Sequence, residues 1–212
     1  MKKKVLLTIL IFGSLWGCVE VFVGGALHDL IPHSSVVPTV LGIGLLASAR
    51  YLVRTPGSST AIAAIACLFR LVNAGHYYCH LWAIVLIGVC FDVTLAILGS
   101  RWEKAKWQSL AGIGTAYASS IVFSLTMTYV MPYVPSMEHC AHWWVIGGLP
   151  KVLDYIGVNG SLAALGALFL VPLGYRVGQS ITAFSNARPR PALIGALLLT
   201  VLFWIAGVMI QI

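Results

Sequence analysis

Residues Met1–Leu27 read MKKKVLLTILIFGSLWGCVEVFVGGAL. Behind three lysines, an apolar run extends from Val5 to Leu27 with a single charge, Glu20, inside it. A helix rises about 1.5 Å per residue, so crossing about 30 Å of hydrocarbon takes about 20 residues. This run is long enough. "LWGC", ending at Cys18, has the look of a lipoprotein cleavage site. A Trp beside the small residue suits such a site poorly, and the run continues past Cys18 for longer than a signal core of about 7–15 residues. The segment is therefore expected to be an uncleaved first span.

The rest of the chain follows the same pattern. Of its 212 residues 59% are hydrophobic and 9% charged, far from a soluble composition. Apolar segments recur at Val36–Val53, Ser59–Asn73, Leu81–Leu98, Ser109–Met131, Ser161–Tyr175 and Ala192–Ile212. The expectation is an all-α, polytopic transmembrane bundle of six to seven spans forming a single membrane domain over 1–212. Between the fifth and sixth segments lies an insert, 132–160, with aromatic residues and a short amphipathic piece, Lys151–Ile156, expected at the membrane surface.

The 13 Lys+Arg against 6 Asp+Glu would suggest nucleic acid in a soluble chain. In a membrane chain the same excess sets orientation, because basic residues collect on the cytoplasmic side. With the N-terminus cytoplasmic, Lys2, Lys3, Lys4, Arg50, Arg54, Arg101, Lys104, Lys106, Arg176, Arg188 and Arg190 all fall inside. Arg70 and Lys151 are left over. No nucleic-acid partner is called for. The expected location is a prokaryotic cytoplasmic (inner) membrane, crossed several times.

This threading also sorts the six histidines, which played no part in setting it. His28 and His33 fall in the first outer loop, His76 and His80 in the second ("NAGHYYCH", Asn73–His80), and His139 and His142 in the third ("EHCAH", Glu138–His142). With Cys79, Cys140 and Glu138 they make a mixed imidazole, thiol and carboxylate set. Such a set suits a transition metal ion, or axial ligation of haem or a cobalt corrinoid such as cobalamin. Tyr77, Tyr78, Trp82, Tyr133, Trp143 and Trp144 would pack a planar macrocycle, although rings of this kind also populate membrane interfaces without binding anything.

Other readings of the same residues stay open. Cys79 and Cys140 would both face the oxidising side, so a disulfide between outer loops competes with ligation. Glu20 and Arg70 lie at comparable depth and form a plausible intramembrane pair in a pocket wall, whereas Asp92 has no obvious mate. Gly13 and Gly17, four apart, serve either internal helix packing or docking of another membrane protein. The chain has no phosphate-binding Gly-rich loop, HExxH or GxSxG, so it carries no ATP-hydrolysing machinery of that kind.

"GSLWGCVEVFVGGALHDLIP" followed by "VVPTVLGIGLLASARYLVRTPGSS", with "AIAAIACLFRLVNAG" and "LWAIVLIGVCFDVTLAIL", resembles the substrate-binding S components of energy-coupling-factor transporters. The likeness covers roughly the first half, and seven apolar segments depart from the usual six of that family. The resemblance implies capture of a vitamin or metal from outside, beneath outer loops. It also implies docking through small residues of the first helix, here Gly13 and Gly17, onto a transmembrane coupling subunit driven by ATPases. In a cobalamin-binding group a cysteine ligates cobalt, a part that Cys79 would take. The expected function is thus uptake of a metal ion or metal-containing cofactor through His28, His33, His76, Cys79, His80, His139 and His142. The alternatives are a membrane metalloprotein or haem-binding oxidoreductase, and a structural or accessory subunit.

Overall fold

The computed structural model describes residues 2–28, 30–74, 78–187 and 189–210, and no strand occurs among them. Helix α1 (Lys2–Cys18) runs through a π turn, Val19–Val23, into the short α2 (Gly24–His28). α3 (Val36–Leu52), α4 (Ser58–Asn73), α5 (Tyr78–Leu98) and α6 (Ala105–Tyr129) follow. α7 (Glu138–Tyr155) passes through a second π turn, Ile156–Gly160, into α8 (Ser161–Ala187), and α9 (Pro189–Ile210) closes the chain. Each of the seven apolar segments is mainly helical over its described residues.

Among the described residues, four stretches are long and apolar enough to cross a membrane: Lys3–Leu27, Tyr78–Glu103, Ala105–Tyr129 and Glu138–Ala187. Val36–Leu52, Ser58–Asn73 and Ile194–Met209 are apolar but shorter. The amphipathic piece in the insert belongs to α7, a longer helix than its sequence suggested. α7 bends at Gly148, whose φ of 51° and ψ of −148° leave helical space just before Pro150.

The surface is apolar, as lipid contact allows, and the interior mixes bulky apolar side chains such as Trp16, Phe69 and Phe91 with small and polar ones. On α8, Leu162, Leu165, Phe169, Leu173 and Val177 form an exposed stripe, while Ala163, Ala167, Val171 and Gly174 face inward. With little hydrophobic drive between helices in lipid, association depends on close approach of backbones. α3 and α8 meet where a Cβ on Gly174 would lie 2.2 Å from the Gly44 carbonyl oxygen. Likewise, a Cβ on Gly13 or Gly17 would lie 2.5 Å from the Cβ of Ile65 or Phe69 on α4. Of the two uses open to Gly13 and Gly17, internal packing is the one observed; α4 fills the face a docking partner would need.

Successive long helices alternate in direction, so the bundle has two chemically distinct ends. One gathers Lys3, Lys4, Arg50, Arg54, Arg101, Lys104, Lys106 and Arg176. There Arg54 bonds Glu103 at 2.8 Å. Asp92, which lacked a mate in sequence, has several: it accepts from the Thr60 amide and hydroxyl, each at 2.8 Å, and lies 3.8 Å from Arg50. It caps the first turn of α4 from a neighbouring helix, satisfying amides that have no partner within their own helix. The opposite end carries His28, His33, His80, His139 and His142. His76 and Tyr77 lie outside the described residues, as does Asp29.

Candidate functional site

At the histidine end, three chain segments enclose an open cavity of about 340 Å³. His33, Ser34 and Ser35 come from the turn before α3, and His80 from the first turn of α5. Trp144, Lys151, Asp154 and Tyr155 come from α7, and Asn159 from the π turn that follows. The lining carries both signs of charge, two imidazoles, hydroxyls and an amide.

Asn159 organises one wall. Its side-chain oxygen lies 2.5 Å from His33 Nδ1, and its amide nitrogen donates to Ser35 Oγ at 3.3 Å. The Tyr155 hydroxyl lies beside Ser35 and Asn159. Because the Asn159 oxygen only accepts, His33 Nδ1 carries a proton, and in the neutral ring the other nitrogen is the acceptor. His33 is held at φ 60°, a left-handed conformation that no other described non-glycine residue adopts. Such conformations persist where surrounding bonds enforce them, as the Asn159 contact does here.

His80 has a partner of the reverse polarity. His80 Nδ1 lies 2.5 Å from Arg70 Nη2, and a guanidinium can only donate, so Nδ1 accepts and the other ring nitrogen holds the proton of the neutral ring. In neutral rings these two partners favour opposite tautomers. Behind His80 a buried network continues inward. Arg70 Nη1 donates to the Glu20 carbonyl oxygen at 3.1 Å and lies 3.8 Å from the Glu20 carboxylate. That carboxylate accepts from Trp16 Nε1 at 3.2 Å. Glu20 and Arg70 are each only 8% exposed. The pair suggested by depth in the sequence forms, but one layer behind the cavity rather than in its lining.

Both π turns serve this construction. A π turn adds a residue to a helical repeat and so re-aims the side chains around it. Glu20 is the buried residue of Val19–Val23, and Asn159 is buried in Ile156–Gly160.

The structure brings His33, His80 and Trp144 together from the expected set, and disperses others. Glu138, His139 and His142 lie exposed on the first turns of α7 and do not line the cavity. Trp143 is 66% exposed, and Tyr78 and Tyr133 are also exposed. Trp82 donates to Thr126 at 2.9 Å and joins α5 to α6. Trp144 packs edge-on against Phe123 and Tyr155, forming the apolar side of the cavity. His28 ends α2, and its side chain lies outside the described residues.

Cys79 and Cys140 come together at one place: both pack against the cluster of Leu86, Phe123 and Met127, and both remain free. Among the described residues no group of three His, Cys, Asp or Glu side chains converges as a metal site would require. The guanidinium against His80 also opposes a bare cation there. The described residues by themselves do not form a metal centre.

Ser34, Ser35, Lys151, Asp154, Tyr155 and Asn159 were not among the sequence candidates. A signal existed for part of this set. Lys151, Tyr155 and Asn159 recur every four residues, one helical face carrying three polar groups in an apolar chain. No protein-family profile, no curated protein and no solved structure matches this chain.

Proposed function

We propose that this protein is a multi-pass membrane binding protein that captures a small polar solute in the cavity between the turn before α3, α5 and α7. The observation that carries the reading is the paired imidazole arrangement. Asn159 holds His33 and Arg70 holds His80, contacts of opposite polarity on two imidazoles that line one cavity. Preorganised donors and acceptors in a mostly apolar setting are what small-molecule sites use for orientation. A volume of about 340 Å³ is near the lower end of such sites, which favours a small solute over a macrocycle.

In this reading the basic end is cytoplasmic, the histidine end faces outward, and the membrane is the prokaryotic inner membrane. The segregation of Lys and Arg supports that orientation. The chain supplies capture, and partner subunits supply the energy for translocation. A metal-bearing solute would need donors beyond those described, with His76 the nearest in sequence.

Native mass spectrometry of protein released from membranes, with elemental analysis alongside, tests this. Wild type is expected to carry an organic mass. Lys151→Ala and Asn159→Ala should weaken its retention by about tenfold, the loss of one polar contact of about 1.4 kcal/mol. Undiminished retention in both variants removes the cavity from the reading. Stoichiometric metal without an organic mass supports metal uptake instead, and no bound species at all supports an accessory subunit.

A further inference from the structure

Cys79 is the second residue of α5 and Cys140 the third of α7, so a contact between them joins segments far apart in the chain. Both side chains are half-buried and pack against one apolar cluster that includes Leu86, Phe123 and Met127. The other three cysteines lie within α1, α4 and α5, and Cys67 donates to the Leu81 carbonyl oxygen at 3.4 Å. Cys79 and Cys140 are therefore set apart by position and by each other. Their chain neighbours matter too. His80, next to Cys79, and Trp144, one helical turn after Cys140, both line the cavity. α7 packs mainly on α6 and touches α5 only lightly.

We infer that Cys79 and Cys140 form a reversible disulfide that pins α7 to α5 and fixes the width of the cavity between them. The oxidant is a disulfide-bearing acceptor, either a small molecule or a thiol oxidoreductase. One cysteine, as thiolate, attacks the acceptor disulfide, forming a mixed disulfide and releasing one thiol. The second cysteine then displaces the other half, closing the Cys79–Cys140 bond. The two thiol protons end on the two released thiols, and the electron pair from the two cysteines has reduced the acceptor. Reduction by a dithiol reverses both steps and frees α7. The inference holds whatever the cavity takes, because linkage is measured without a solute.

The test uses the full chain in native membranes, treated with oxidised glutathione and then denatured and alkylated. Alkylatable thiols should fall from five to three, and digestion under non-reducing conditions should yield a Cys79–Cys140 linked peptide that dithiothreitol removes. Cys140→Ser and Cys140→Ala should leave Cys79 alkylatable or bearing glutathione. Hydrogen exchange over 138–155 should slow several-fold on oxidation in wild type and not in those variants. Five thiols remaining in wild type, or a link between Cys79 and any other cysteine, overturns the disulfide. A link without slower exchange overturns the clamp. Since the linkage is read on wild type, a misfolded variant does not leave the question open.

Discussion

Replacing Arg70 by Met keeps the length and apolar stem of the side chain and removes only the guanidinium. Three interactions go with it: the bond to the Glu20 carbonyl at 3.1 Å, the 3.8 Å pairing with the Glu20 carboxylate, and the contact to His80 Nδ1 at 2.5 Å. What remains is a carboxylate 8% exposed, with Trp16 Nε1 donating to it. Breaking a buried pair by deleting one member costs about 3–5 kcal/mol, because the other charge stays behind in low dielectric. In a chain of this length 1 kcal/mol corresponds to about 2–4 °C, so Arg70→Met should lower Tm by about 6–20 °C in detergent. Glu20→Leu with Arg70→Met removes both charges and should lower Tm by less than the sum of the two single variants. The assay is a double-mutant cycle by thermal unfolding. Additivity within about 0.5 kcal/mol would mean that the two residues do not act as a unit, and the network argument fails.

Gly174→Ala should cost at least about 1–3 kcal/mol, because its Cβ would meet the Gly44 carbonyl oxygen at 2.2 Å, backbone against side chain. Gly25→Ala, with nothing within 4 Å, should instead stabilise by about 0.5–1 kcal/mol through helix propensity; thermal unfolding of the two variants separates packing from propensity. Asp92→Ala should destabilise by about 1–3 kcal/mol and speed hydrogen exchange at the first turn of α4, whereas Asp92→Asn, which keeps an acceptor for the Thr60 amide, should lose less. His33→Gly adopts the φ of 60° without strain, so Tm should change by less than about 4 °C while solute retention falls, read by native mass spectrometry.

The bundle was legible in the sequence because span length and apolar content are local properties. A run such as Val5–Leu27 buries its backbone polar groups within its own helix, and no other segment needs to be known. The segregation of basic residues from histidines was legible for a related reason: alternating crossings assign each loop an end. The Glu20–Arg70 pair followed from depth alone, since rise per residue converts sequence position into height.

Lateral neighbours were a different matter. Sequence gave Asp92 a depth but no mate, and the structure supplies the α4 amides and Arg50, which reach it only because α4 and α5 lie side by side. It could not decide whether Gly13 and Gly17 faced this chain or another, because a small-residue face is complementary to any close helix; the position of α4 decided it. Of the histidines whose side chains are described, His33, His80, His139 and His142 share an end, as threading requires, yet only His33 and His80 line the cavity, because the turn of each helix about its axis is set by packing. The two π turns settle that rotation for Glu20 and Asn159, and nothing in the local sequence signals them. Height along the membrane normal belongs to the sequence of this protein; azimuth belongs to its tertiary structure, since the first is summed along one chain segment and the second exists only between segments.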